Sequence, residues 1–225
     1  MKNLRFIIVG VGGVGMNIAI QLVQIKEIIM PIKRIDFIDY DIIESSNLNR
    51  LPMLNYIGQP KPHALMDFII NNISTDIDMH PYYGDGIDWL NNKFDLHYND
   101  FTILLDCTDR TYIQSILLKT FRKKVSFEKG VYCRVGNENN IVNIEFNSNY
   151  AETLKVHEQG YTSTPTNPFY VAGTTYLFFY EIRKYIDDYI NNRLSDINVR
   201  KRKITYDLDL YYNLNFINHY ERRAS

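Results

Sequence analysis

FIIVGVGGVGMN, Phe6 to Asn17, is an apolar run that empties into four glycines and then resumes as a helix-compatible pattern. Arg5 to Val9 reads as a buried parallel strand, apolar on both faces because helices cover both. Gly10, Gly12 and Gly15 fit G-x-G-x-x-G, with Gly13 as a fourth glycine. The first lets the chain turn tightly, the second lets a phosphate approach the backbone, and the third lets helix and strand pack closely. Free N–H groups at the helix start attract the anion. A helix is expected over Met16 to Ile28, and RIDFIDYD, Arg34 to Asp41, is a second strand ending in acids. Strand, glycine turn, helix and strand make one right-handed βαβ unit. Asp39 closes it ~20 residues on, where a carboxylate accepts ribose hydroxyls. NAD and ATP both carry that ribose, so this unit alone does not choose between them.

Working outward, an irregular segment leads to a helix from His63 to Asn72, and Asp78 to Asp85 supplies a strand and loop. FTILLDCTDR, Phe101 to Arg110, is a buried strand ending in acids, with a helix over Tyr112 to Arg122. KVSFEKGVY and NNIVNIEFN give two more strands. Tyr150 to Asn167 reads as a loop, Phe169 to Ile190 as a long aromatic-rich helix, and Lys203 to Phe216 as a final strand pair. The expected architecture is α/β: a Rossmann-like βαβ sheet, mainly parallel, with antiparallel C-terminal strands and helices on both faces. Residues 1–225 read as one domain, with specificity and dimer elements over about 140–225.

Composition bounds the function. Net charge is −1, with 45% hydrophobic and 23% charged residues, so no global field points to nucleic acid or an anionic membrane. The short basic run Val199 to Lys203 reads as a solvated turn between helix and strand. No apolar stretch approaches the ~20 residues that span a bilayer. With two cysteines and no signal-peptide pattern, a reducing cytoplasm is expected. The five histidines show no metal-hydrolase spacing and there is no Gly-x-Ser-x-Gly elbow.

DYDIIESSNLNR (Asp39 to Arg50), then IGQPK (Ile57 to Lys61), then DCTD (Asp106 to Asp109) follow the glycine turn in order. This series resembles the ThiF/MoeB family of adenylyltransferases, to which the activating enzymes of ubiquitin-like proteins belong, over roughly Arg5 to Phe121. The resemblance implies ATP as a reactant: a protein's C-terminal carboxylate attacks the α-phosphorus and pyrophosphate departs. Charge then builds on phosphate oxygens and must be met by cations. Arg50 and Lys61 are the candidate clamps, Asn47 a hydrogen-bonding nucleotide ligand, Asp39 the ribose acceptor and Asp109 a Mg²⁺ ligand. Gly10, Gly12, Gly13 and Gly15 would seat the nucleotide. Taken singly, Arg50 and Lys61 also read as surface cations, Asn47 as a loop former, and Asp106 or Asp109 as a helix cap; Asp41 reads as a turn or cap acid.

This chain departs from the family in several places. The two Cys-x-x-Cys pairs that hold structural zinc in many relatives are missing, so ATP and Mg²⁺ are expected and zinc is not. Cys133, in GVYCRVG, is a candidate nucleophile for a thioester or persulfide step, but its strand position favours packing, as does that of Cys107. Relatives send an arginine from before the first strand into the partner subunit's site, whereas four residues precede Arg5 here. Either Arg5 does not reach, Arg110 substitutes, or that contribution is absent. Arg110 itself stands where relatives usually show Asn, and reads either as a phosphate contact or as a solvated first-turn residue.

The expected partner is a small ubiquitin-like or sulfur-carrier protein or a peptide, and the resemblance implies a homodimer. The aromatic face of NPFYVAGTTYLFFYEIRKY, Asn167 to Tyr185, suits either a dimer interface or core packing. Two other functions fit less of the sequence: a catalytically weak ATP-binding or partner-binding subunit of this fold, and an NAD-dependent oxidoreductase.

Overall fold

A computed structural model describes residues 3–49, 53–96, 100–138, 140–147, 168–195 and 201–208. The strands are β1 (Asn3–Val9), β2 (Glu27–Ile28), β3 (Met30–Asp39), β4 (Asp78–Tyr83), β5 (Asp100–Asp106), β6 (Gly130–Glu138), β7 (Ile141–Phe146) and β8 (Arg202–Asp207). The α-helices are α1 (Gly13–Ile25), α2 (Lys61–Asn72), α3 (Gly86–Asn92), α4 (Thr111–Lys124) and α5 (Pro168–Ile190). The sheet runs β3-β1-β5-β6-β7-β8, with β2 and β4 also pairing with β3. The β4-β3-β1-β5-β6 run is parallel, and β7 and β8 are antiparallel additions.

The apolar strand runs are divided between two cores, as alternation across a pleat requires. Leu4, Phe6 and Ile8 of β1 join Met16, Leu22, Leu65, Phe178 and Ile182 beneath α1, α2 and α5. Ile7 and Val9 join Trp89, Leu90, Leu117 and Phe121 beneath α3 and α4. Phe6 lies opposite Ile35 of β3 and Ile103 of β5, so β1 is fully sandwiched. No helix among the described residues is long and apolar enough to cross a membrane.

The structure differs from the sequence reading at several boundaries. α1 stops at Ile25, where Lys26 takes a left-handed φ of 55°, and Ile28 and Met30 enter the core from a short β2–β3 turn instead of from a helix. The seven-residue α3 was unforeseen; Asp85 starts it by accepting the N–H groups of Ile87 and Asp88 at 2.8 and 3.0 Å. α4 continues to Lys124, and Ser126 to Lys129 form a turn, so β6 begins only at Gly130. Of the basic run, Arg202 and Lys203 open β8. The expected loop from Tyr150 to Asn167 and the second member of the final strand pair lie outside the described residues.

Arg5 answers one question raised by the sequence. Its side chain is fully buried within its own chain, donating to Asp36 at 2.8 Å and to Asp95 at 3.1 Å, between the rings of Trp89 and Phe94. Arg34 shares Asp36, also at 2.8 Å. A cation so committed is not free to enter a second subunit. Removing one partner of a buried pair leaves the other charge uncompensated, a loss of about 3–5 kcal/mol. Asp36→Ala is therefore expected to lower the unfolding free energy by about that amount in urea titration. A loss under ~1 kcal/mol would mean that Asp95 alone satisfies Arg5.

Candidate functional site

β3 and β5 flank β1, and the chain passes from β1 to β3 on one side and later to β5 on the other. In open α/β sheets ligands bind at such a switch point, outside the carboxyl ends of the strands. The three tips carry the glycine turn after β1, Asp39-Tyr40-Asp41 after β3 and Asp106 to Arg110 after β5.

The glycines of the turn answer to different demands. Gly10 has a φ of 90°, and a Cβ there would meet the Cys107 carbonyl at 2.9 Å. A Cβ at Gly15 would lie 2.1 Å from the Gly10 carbonyl oxygen. Both are required by the protein's own packing. At Gly12, the residue that caps α1, a Cβ would meet nothing within 4 Å. Nothing in the protein demands glycine there, which fits a turn whose bare backbone is used by a ligand.

Asp39 binds this turn to β3. It is 8% exposed; one carboxylate oxygen accepts the Val11 N–H at 2.6 Å and the other the Asp41 N–H at 2.8 Å. Burial pushes the Asp39 carboxyl above the ordinary carboxylate value, opposed by nearby Lys61 and by those two N–H groups. Each oxygen retains lone-pair capacity for a hydroxyl.

Lys61 arrives by a local zip. Ile43 donates to the Gln59 carbonyl, Gly58 to Ile43 and Lys61 to Asp41, at 2.8 to 2.9 Å, which lays Asp41–Ile43 against Gly58–Lys61 and starts α2 beside the β3 tip. Lys61 Nζ then meets Asp41 Oδ2 at 2.7 Å, with side-chain exposures of 10% and 50%. Asp41, read from sequence as a turn or cap acid, is thus the partner of the candidate clamp. Asn47 is buried, but its amide oxygen accepts the Glu44 N–H at 3.1 Å in a reciprocal capping box, so the loop itself uses that group. Its Nδ2 lies 3.5 Å from Ser46 Oγ. Arg50 lies outside the described residues.

At the β5 tip Asp109 is exposed, while Asp106 is fully buried and is no helix cap. Asp106 accepts the Tyr132 hydroxyl at 2.6 Å and the Thr108 hydroxyl and N–H at 2.7 and 3.0 Å, and Gln114 of α4 donates to the Thr108 carbonyl at 2.8 Å. This network sets the path of the chain into Asp109 and Arg110. Mg²⁺ is ordinarily held by one or two carboxylates plus substrate phosphates. Among the described residues no group of three His, Cys, Asp or Glu gathers that could hold a metal ion. Cys133 is buried, opposite Phe146 on β7, and burial pushes its thiol well above the ordinary value; the thiol of the partly buried Cys107 is pushed the same way by desolvation. Neither environment favours a thiolate.

The model of the ThiF family matches residues 1–132. The chain belongs to the ThiF family. The resemblance to ThiF/MoeB-type proteins read from the motif series therefore holds across β1 to β5 and α4. Among solved structures, Escherichia coli MccB with SeMet MccA superposes with a TM-score of 0.67 at 17% identity, covering 92% of this chain and 62% of that one. MccB with ATP gives 0.61 at 18%, covering 84% and 57%. PaaA gives 0.57 at 18%, covering 83% and 56%. At these identities the likeness is one of fold, and the ThiF-family chain described here spans about three fifths of the MccB length. No curated protein matches it in sequence.

The different demands on the glycines separate two variants. Gly12→Ala is expected to leave the melting temperature unchanged while weakening nucleotide binding, measured by calorimetry. Gly15→Ala is expected to cost about 1–3 kcal/mol of stability by overpacking. Equal destabilisation by both would show that Gly12 also serves packing.

Proposed function

We propose that this ThiF-family protein is an ATP-dependent adenylyltransferase. It would activate the C-terminal carboxylate of a small ubiquitin-like or sulfur-carrier protein, or of a peptide, as an acyl-adenylate. The observation that carries this reading is the gathering of the glycine turn, Asp39, the Asp41–Lys61 pair and Asp109 at three adjacent strand tips. Fold likeness to MccB, solved with ATP and with MccA, supports a nucleotide and a peptide-like acceptor.

In this proposal the glycine turn seats the phosphates, Asp39 takes the ribose, and Asn47 donates through its amide nitrogen. The acceptor's carboxylate oxygen bonds to the α-phosphorus as the bond to pyrophosphate breaks, and the leaving group carries off the electron pair. Lys61 and Arg50 meet the charge that develops, which preorganised cations do most effectively where water is excluded. Asp109 would hold Mg²⁺, whose chemistry is to shield the phosphate oxygens. Lys61 is already oriented by Asp41, so little reorganisation is needed to bring it to a phosphate.

Adenylation here needs no cysteine step, given the packing environment of Cys133. We further assign residues 1–225 to one adenylation domain, a cytoplasmic location, and a homodimer using the exposed Phe169, Tyr176 and Tyr180 of α5.

Carboxylate-dependent ATP–pyrophosphate exchange with candidate acceptors is the direct test. Lys61→Ala is expected to lower exchange by roughly 10²-fold or more, and an unchanged rate would remove Lys61 from the chemistry. Cys133→Ala is expected to keep product formation. A variant that makes adenylate and then stalls would restore a covalent cysteine step.

A further inference from the structure

Adjacent strands lie ~4.8 Å apart, so the tips of β3 and β5 are separated by about 10 Å, with the end of β1 between them. Two side chains close that gap. Tyr40 follows Asp39 at the β3 tip, Arg110 follows Asp109 beyond β5, and the Arg110 guanidinium lies 5.5 Å from the centre of the Tyr40 ring. Both residues are exposed, Tyr40 to 45%, so neither is needed to fill a core. The contact therefore links the chain just beyond β3 to the chain just beyond β5, the two strands that flank β1.

Among the described residues, Lys61 and Arg110 differ in their commitments. Lys61 is tied to Asp41 at 2.7 Å, whereas among the described residues Arg110 makes no ion pair within hydrogen-bonding reach. A guanidinium stacked on an exposed ring keeps its N–H edge available, and a planar fork matches a phosphate two bonds at a time. The charge-assisted pair with phosphate is the stronger of the two contacts, so a nucleotide in the crevice would draw Arg110 off the ring.

We propose that Arg110 is a nucleotide ligand contributed by the β5 tip, rested on Tyr40 at the mouth of the crevice and transferred to the polyphosphate of ATP when it binds. This assignment rests on the ATP reading above and adds to it a residue that the shared motif series does not include. It makes the β5 tip responsible for one cation as well as for Asp109.

Calorimetry of the full chain with ATP and with adenosine tests it apart from turnover. Arg110→Ala is expected to weaken ATP binding about tenfold, the scale of one charge-assisted contact. Adenosine affinity and melting temperature should stay unchanged, and Arg110→Lys should recover part of the loss. Unchanged ATP affinity in Arg110→Ala, or an equal loss for ATP and adenosine, overturns the assignment. If the wild-type chain binds no ATP, the nucleotide reading falls and takes this one with it. If ATP binding depends on Arg110 while pyrophosphate exchange is absent, only the adenylation reading fails.

Discussion

A tight constraint lies between two glycines: the first turn of α1 lies so near the end of β1 that any side chain at Gly15 would run into the Gly10 carbonyl. That contact fixes where α1 begins and how it crosses the sheet. It also leaves the buried Val11 and the half-buried Gly12 as a short bridge, and it is the Val11 N–H that Asp39 captures from the neighbouring strand. Once β1 and β3 are tied at their tips in this way, the zip that follows Asp41 places Lys61, and β5 on the other side of β1 completes the crevice. The site is therefore a consequence of backbone packing more than of side-chain recognition within the protein.

Charges at the two ends of the sheet show how position decides what a residue type does. Arg5 and Asp36 are wholly buried, hemmed in by aromatic rings and partners, and can change nothing without loss of stability. Lys61 and Asp41 make a pair of similar length, but Asp41 is half exposed and can exchange its lysine for water. A pair of that kind orients a cation while leaving it available. The same chemistry is thus structural at one end and adaptable at the other.

Much of this was legible in the sequence because it is local. The apolar run Arg5 to Val9, the glycine spacing and the acids closing β3 and β5 are patterns within a few residues, and the structure places them as read. What was not legible depends on distance or brevity. The seven residues of α3 are too few to show a helical period, and the apolar Ile28 and Met30 continue the α1 pattern although they belong to a turn of strand. Asp41 finds Lys61 only through the backbone zip between two irregular segments. Tyr40 and Arg110 are paired by strand order, which no local pattern encodes. Arg5, considered from sequence as a possible contributor to a neighbouring subunit, is accounted for by an aspartate thirty-one positions on.

Strand order has a thermodynamic corollary. The tips of β1 and β3 come from one contiguous βαβ unit, but the β5 tip belongs to chain synthesised far later, and backbone bonds such as Cys107 N–H to the Val9 carbonyl join it to the turn. Closing so long a loop carries an entropic cost that grows with its length. A molecule gripping both outer tips would act as a cross-brace over that junction, adding RT ln(1 + [L]/Kd) to global stability, about 2.7 kcal/mol at a hundredfold excess over Kd. Occupancy of the crevice and integrity of the sheet are in that sense one equilibrium.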